Sequence, residues 1–339
     1  MNLYTFNSKK LYQLYFLIFL LSLLIFSALV KYILLVYLDQ NMTKNYFVEE
    51  PRSKLIHYQS QQDTPFDYLF FGNSRTLFHI NTNMFKKHHL SAYNFGISGA
   101  DITQQKFLIQ QVITAPLKPK NIVISLDITQ LYIDNRHQLY NRGTLDDVVN
   151  AIKLYDICMA YYMLLSYLES SDLSYRLMFL LKQDLKAFLL ANQDNNNISM
   201  PIEEQKKFDC RPFNYTNATQ TVMLCKNGDG VIIKEGSITQ VQKVHVSLNR
   251  LNYSYLHYLQ KLSQDIKCAN INPIIILQPI HNKNLTYNLK NINDILDKTT
   301  IIDLSTSDIE NTYWADQVHL NYLGRAYYTN KLIHELRKF

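Results

Sequence analysis

The sequence predicts an α/β fold built on a doubly wound parallel sheet, and three observations carry that prediction. Short apolar runs at Tyr68 to Phe71, Asn121 to Leu126, Pro273 to Leu277 and Thr300 to Leu304 have the length and continuity of strands buried on both faces. Helix-like patterns at Thr103 to Ile113, Leu248 to Ile266, Asn288 to Leu296 and Asn321 to Leu336 alternate with them. A brief fifth strand is expected around Ala92 to Asn94. Ligands of such sheets gather at the carboxyl ends of the strands, so chemistry is sought there.

The chain has 339 residues, room for a membrane segment and one large domain. From Leu11 to Val30 there is no charge. About 20 helical residues at roughly 1.5 Å each would cross a hydrocarbon layer of roughly 30 Å. The span reaches Val36 if the Lys31 stem snorkels toward the headgroups. The rivals are a buried soluble helix and a cleaved signal peptide, the latter with an apolar core of about 7 to 15 residues and a small-x-small site, which Ser27-Ala28-Leu29 matches poorly. Lys9 and Lys10 precede the span while Asp39, Glu49 and Glu50 follow it, which leaves the N-terminus cytoplasmic and exports the rest. Lys31, Lys44, Arg52 and Lys54 weaken that bias. Residues 1–38 are therefore read as a cytoplasmic tip and single-pass anchor in the inner or plasma membrane. Residues 39–65, polar and punctuated by Pro51 and Pro65, read as a linker, and 66–339 as the extracytoplasmic (periplasmic) domain.

The strand and helix alternation is interrupted from about 140 to 245 by an insertion expected to be mainly helical. Helix-like segments at Leu145 to Leu168 and Leu173 to Ala191 and an Asn-rich run from Asn192 to Asn197 lead to a hairpin around Asn227 to Gly230. This insertion either shapes a substrate site or is padding. Of four cysteines, Cys210 and Cys225 flank a polar stretch that leads into the turn signals at Asn227-Gly228, and an oxidising compartment would let them pair. The other reading leaves all four as thiols. Cys158 and Cys268 are expected to be buried.

A net charge of +6, spread along the chain, fits a mixed solvated surface or attraction to anionic headgroups and envelope polymers; no nucleic-acid signature accompanies it. Metal chemistry would draw on His79, His88, His89, His281 and His319, but the H-E-x-x-H pattern is absent and no metal is expected. No phosphate-cradling glycine loop occurs, and no cofactor is expected.

Phe71-Gly72-Asn73-Ser74-Arg75 places a serine just past the first strand, where Gly72 permits a tight turn and the hydroxyl stands at the sheet edge. Ser74 is either a nucleophile there or the cap of the following helix. Near the C-terminus, Asp316 lies three positions before His319, close enough to hold the imidazole so that its other nitrogen acts as a base. The alternative makes Asp316 a helix cap and His319 a surface residue. Arg75, Asn94, Asp127 and His281 are candidates for positioning substrate.

Four blocks of this sequence resemble those of the SGNH (GDSL-like) hydrolases: Gly72-Asn73-Ser74-Arg75, Asn94-Phe95-Gly96-Ile97-Ser98-Gly99, Ile124-Ser125-Leu126-Asp127 and Asp316-Gln317-Val318-His319. The resemblance spans residues 66 to 339 apart from the insertion. More narrowly, the chain is similar to membrane-anchored SGNH-like proteins of bacterial envelopes, the group with the D-alanyl transfer protein and the alginate O-acetylation proteins. The resemblance implies a flavodoxin-like three-layer sandwich and a Ser74, Asp316, His319 triad. It also implies an oxyanion hole from the backbone N–H groups of Ser74 and of Gly96 or Gly99, and acyl esterase or O-acyltransferase activity on an envelope glycan or glycolipid. The implied partners are the lipid bilayer, an envelope glycan or acylated carrier, and a membrane-bound O-acyltransferase. Two positions depart from the family. Asn73 stands where the first block usually has Asp. Asp127 replaces the third-block Asn that normally completes the oxyanion hole, leaving Asn94 or Asn73 as substitute donors. That departure motivates a second reading, a catalytically silent envelope-assembly or glycan-binding protein.

Overall fold

The structure is a computed structural model that describes residues 51–132, 210–213, 222–233 and 244–339 apart from single positions, most of 12–29, and isolated residues at 149, 152 and 161. Two compact units are distinguished, residues 1–44 and 45–339. In the first, residues 12–23 are helical and expose large apolar side chains such as Phe16, Ile18 and Phe19. Among the described residues no helix is long and apolar enough to cross a membrane. The expected span is itself described only in part, since positions 11, 24, 27, 28 and 30 lie outside the described residues.

The second unit begins with α1 (Pro51–Ser60). This corrects the linker expectation for residues 51–60. Lys54, Leu55, His57 and Tyr58 are buried, and Tyr58 packs in an aromatic group with Phe66, Tyr93 and Phe95. Polar composition hid this, because the buried Lys54 and His57 read as solvent-facing.

Then follow β1 (Tyr68–Phe71), α2 (Ser74–His79), α3 (Thr82–Lys86), β2 (Ala92–Asn94), α4 (Ile102–Ile113) and β3 (Asn121–Leu126). In the insertion lie β4 (Cys210–Phe213), β5 (Val222–Cys225) and β6 (Gly230–Ile232). The chain closes with β7 (Val244–Ser247), α5 (Tyr253–Cys268), β8 (Asn272–Leu277), β9 (Lys283–Thr286), α6 (Leu289–Ile295), β10 (Thr300–Asp303) and α7 (Tyr322–Leu336).

Five strands, those anticipated, pair in the order β10-β8-β3-β1-β2, every pairing parallel. Side chains alternate between the two faces of the sheet, and the apolar residues divide accordingly. Leu69, Phe71, Ile122, Ile124, Ile275 and Leu277 face α1, α4, α5 and α6, where Tyr58, Ile109, Leu259 and Ile292 are fully buried. Phe70, Val123, Ile274, Ile276 and Ile302 face the opposite layer with Phe85, Tyr328, Leu332 and Trp314. The result is helices on both faces of a central sheet. Counted within the sheet alone the order is 2-1-3-4-5, so neighbouring connections leave β1 in opposite directions, and the crevice at its carboxyl end is the switch point where ligands bind.

The expected helix from Leu248 starts instead at Tyr253. The Asn252 side chain caps it by accepting from the Tyr255 N–H at 3.2 Å, and residues 244–247 pair in parallel with β9. Within the insertion, β4, β5 and β6 form an antiparallel sheet that includes the anticipated hairpin. Cys210 and Cys225 sit directly opposite each other there and are joined by a disulfide. Cys268 is exposed, not buried as expected, because it falls on the outer side of the last turn of α5. The helix-like segments at 145–168 and 173–191, and Cys158, lie outside the described residues apart from the isolated positions 149, 152 and 161.

The hairpin turn is seated against the main sheet. Gly228 has φ +83°, and a Cβ there would lie 2.2 Å from the Asn94 carbonyl oxygen, so only glycine fits. The Asn94 N–H donates to the Asn227 carbonyl at 3.1 Å. Next in the turn, Asp229 enters the interior at 1% exposure. Its carboxylate accepts from Arg325 Nη2 at 2.9 Å, the Thr82 N–H at 3.0 Å, Thr82 Oγ1 at 3.1 Å and Asn94 Nδ2 at 3.3 Å. Burial pushes this carboxyl up, and Arg325 with the hydrogen bonds from Thr82 and Asn94 opposes that push.

Candidate active site

The turn from β1 into α2 is close-packed: a Cβ on Gly72 would lie 1.9 Å from Thr76 Oγ1 and 2.9 Å from the Ser125 carbonyl. Asn73, not Ser74, is the helix cap, its Oδ1 accepting from the Arg75 N–H at 3.0 Å. Ser74 is thereby the first residue of α2, and its hydroxyl lies 2.9 Å from His319 Nε2.

His319 is presented by a tight loop closed by the pairing of Trp314 with Leu320 and by the Ala315 N–H donating to the His319 carbonyl at 2.8 Å. Asp316 folds its carboxylate back over this loop. Its Oδ1 accepts from the N–H groups of Val318 and His319, both at 2.7 Å, and its Oδ2 lies 2.9 Å from His319 Nδ1. Burial would raise this carboxyl, but the hydrogen bond and charge of His319 and the two backbone donors outweigh it and hold the group well below the usual carboxylate range. Asp316 does not cap α7; Asn321 does, accepting from the Leu323 and Gly324 N–H groups at 3.0 and 2.9 Å. The edge of the His319 ring meets Phe78 with centroids 5.3 Å apart, which fixes its plane. Ser74, His319 and Asp316 thus form one chain of hydrogen bonds beside β1, joining residues 245 positions apart.

The other predicted site residues divide. Gly96 lies against α2, where a Cβ would come within 2.3 Å of the Leu77 nitrogen, and its N–H donates to Asn94 Oδ1 at 2.8 Å. It is therefore already committed and is not an oxyanion donor in this arrangement. Gly99 is exposed at φ +69°, the third position of a turn closed by the Ala100 N–H on the Ile97 carbonyl at 3.0 Å. The Ile97 N–H in turn donates to the Gly72 carbonyl, which keeps this loop beside the turn that carries Ser74. Asn94, expected to touch substrate, is fully buried and structural: Nδ2 donates to the Thr76 carbonyl at 2.8 Å and to Asp229. His281 is buried as well, with Nε2 3.1 Å from Asn311 Oδ1 and its ring 4.9 Å from Trp314, so it supports the His319 loop from behind. Burial lowers its pKa and favours the neutral ring.

Arg75 and Asp127 meet each other. Arg75 Nη1 donates to Asp127 Oδ2 at 2.6 Å, and Asp127 Oδ1 accepts from the Thr129 N–H and hydroxyl at 2.9 and 2.8 Å, capping the 3₁₀ turn Ile128–Leu131. The carboxylate at the third-block position is therefore charge-paired and turned to backbone duty.

Sequence reasoning missed the buried support of this site. Phe78, Leu77 and Ala315 share a small apolar cluster with Val222 and Ile232 of the insertion sheet, so the insertion braces both α2 and the His319 loop. Lys54 is fully buried, and its ammonium donates to the carbonyls of Asn94 at 3.0 Å, Gly228 at 2.8 Å and Gly96. No local motif announces these contacts.

No protein-family model matches the chain, and no curated protein matches it. Among solved structures, it is similar to a candidate acylhydrolase from Bacteroides fragilis, at 13% identity and a TM-score of 0.34, over 83% of this chain and 94% of that one. It is also similar to a GDSL-like lipase from Bacteroides thetaiotaomicron, at 12% identity and a TM-score of 0.32, over 80% of this chain and 87% of the other.

Proposed function

We propose that this protein is an SGNH-type serine acyl esterase or O-acyltransferase, anchored in the membrane by the apolar stretch from Leu11 and acting outside the cytoplasm on an envelope glycan or glycolipid. The observation that carries the catalytic reading is the pair of 2.9 Å contacts that link Ser74 Oγ to His319 and His319 to Asp316. In this scheme His319 Nε2 takes the Ser74 proton as the oxygen attacks an ester carbonyl. Asp316 stabilises the imidazolium. The oxyanion draws on the N–H groups of Ser74 and Gly99, with the Asn73 carboxamide as a third donor. Collapse of the tetrahedral adduct expels the alcohol, which leaves with the proton from His319. Water or an acceptor hydroxyl then gives its proton to His319, attacks the acyl-serine and restores the Ser74 hydroxyl.

A serine-directed fluorophosphonate is expected to label the full-length protein at Ser74, located by peptide mass mapping. A folded chain that stays unlabelled rules the acyl-enzyme out. That outcome would favour the second reading, a silent envelope-assembly or glycan-binding protein, which the carboxylate of Asp127 motivates.

The ion pair yields a further expectation. Arg75→Met leaves an unpaired carboxylate near the developing oxyanion and is expected to lower kcat on an activated ester by about 10- to 100-fold. Adding Asp127→Asn removes that charge and should recover much of the loss. A double variant no faster than Arg75→Met would mean that the arginine acts on substrate and not on Asp127.

A further inference from the structure

A concavity opens beyond the 3₁₀ turn that follows β3. It has a volume of 570 Å³ and lies where β7 and β9 end together, at Ser247 and Thr286. Such a volume suits one small ligand or a unit of a longer one. Neither Ser74 nor His319 lines it.

Its walls carry three tyrosines. Tyr132 and Tyr287 are 6.2 Å apart by ring centroid, and each is held by its hydroxyl. Tyr132 Oη donates to the Asn288 carbonyl and accepts from the Asn288 N–H, both at 3.0 Å. Tyr287 Oη donates to the Asp303 carboxylate and is bonded to Ser305. Tyr132 is buried and backs the pocket, so the ring plane set in advance for a ligand is that of Tyr287. The third, Tyr253, is 59% exposed at the start of α5. Around the rings stand the amides of Asn249 and Asn291 and the guanidinium of Arg250, and no lining residue is acidic among the described residues.

This lining discriminates between ligand classes. Its aliphatic members are Leu248, which is buried, and Leu251, too little apolar wall for an acyl chain. Flat aromatic faces rimmed by amides match the alternating C–H faces and hydroxyl edges of a pyranose ring, since an aromatic residue offers an apolar face with a polar tip. Arg250, unopposed by a carboxylate in the wall, adds a preference for an acidic sugar. We infer that this pocket is a saccharide-binding subsite. It stands next to the catalytic arrangement. Asp127, paired with Arg75, begins the single 3₁₀ turn that ends at Tyr132, about 10 Å of chain at roughly 2 Å per residue. A sugar chain held here would run along the carboxyl edge toward Ser74. The pocket itself does not depend on the acyl-enzyme reading.

The test is calorimetric titration of the full-length protein in detergent with a hexamer of β-1,4-linked N-acetylglucosamine and a hexamer of galacturonic acid. Both are expected to bind, the acidic one more tightly. Tyr253→Ala should weaken both by about 2- to 10-fold, the range for losing one aromatic contact. Arg250→Gln should weaken only the galacturonate, by up to about 5-fold for an exposed charge pair. Ser74→Ala should bind as the unaltered chain does, so sugar binding and serine reactivity fail separately. Absence of binding to either hexamer, undiminished binding by a folded Tyr253→Ala chain, or binding of a mixed peptide pool but no saccharide would overturn the assignment.

Discussion

His319→Ala is expected to reduce kcat on p-nitrophenyl acetate by roughly 10⁴-fold or more, the scale set by removing the base of a serine triad. With the imidazole gone, Ser74 loses the acceptor that its hydroxyl contacts, Nε2 at 2.9 Å. The remaining activity would come from the oxyanion donors alone. KM should change little, since the ring orders a proton and does not grip the ester. The loss should be confined to the chemical step, so stopped-flow measurement should show no acyl-enzyme burst, while circular dichroism and melting temperature stay near those of the unaltered chain. A rate within about threefold of the original would mean that Ser74 is not activated through this histidine.

Asp229→Ala carries the largest expected effect on stability. It strips the charged partner from a buried guanidinium, which keeps the Ile80 carbonyl, and one acceptor from the donors of Thr82 and Asn94 at once. Breaking a buried pair from one side costs about 3 to 5 kcal/mol, because the orphaned charge stays dry. For a domain of this size that corresponds to a fall in melting temperature on the order of 10 °C. Replacing both partners, as Asp229→Leu with Arg325→Met, should recover a good part of the loss, since well-packed apolar groups can stand in for a buried ion pair. Thermal denaturation followed by circular dichroism reads both. A single variant that melts within 2 °C of the original would show that water reaches Arg325.

Four of the five strands of the main sheet were legible as largely apolar runs, and β2, the brief fifth, is only three residues long. The proximity of Ser74, His319 and Asp316 was legible because a residue just past a strand end stands at the sheet rim and a three-residue spacing brings two side chains onto one turn. Other assignments depended on contacts with no local trace. Asn94 and Gly96 occupy the right block, yet each satisfies the other, so one amide and one N–H that composition makes available are spent in the interior. His281 followed a strand end as a substrate residue would, but Trp314, far along the chain, covers it. The linker assignment failed at α1 for a related reason: a lysine buried on three carbonyls carries the same letter as one in solvent.

That lysine has a practical consequence. Lys54 reaches from a helix before the first strand to carbonyls on β2, on the glycine loop and on the insertion turn. A soluble fragment cut just ahead of Tyr68, where the sheet begins, would leave those three acceptors without their shared donor and uncover Tyr93 and Phe95. The shortest fragment fit for crystallisation should start no later than Pro51.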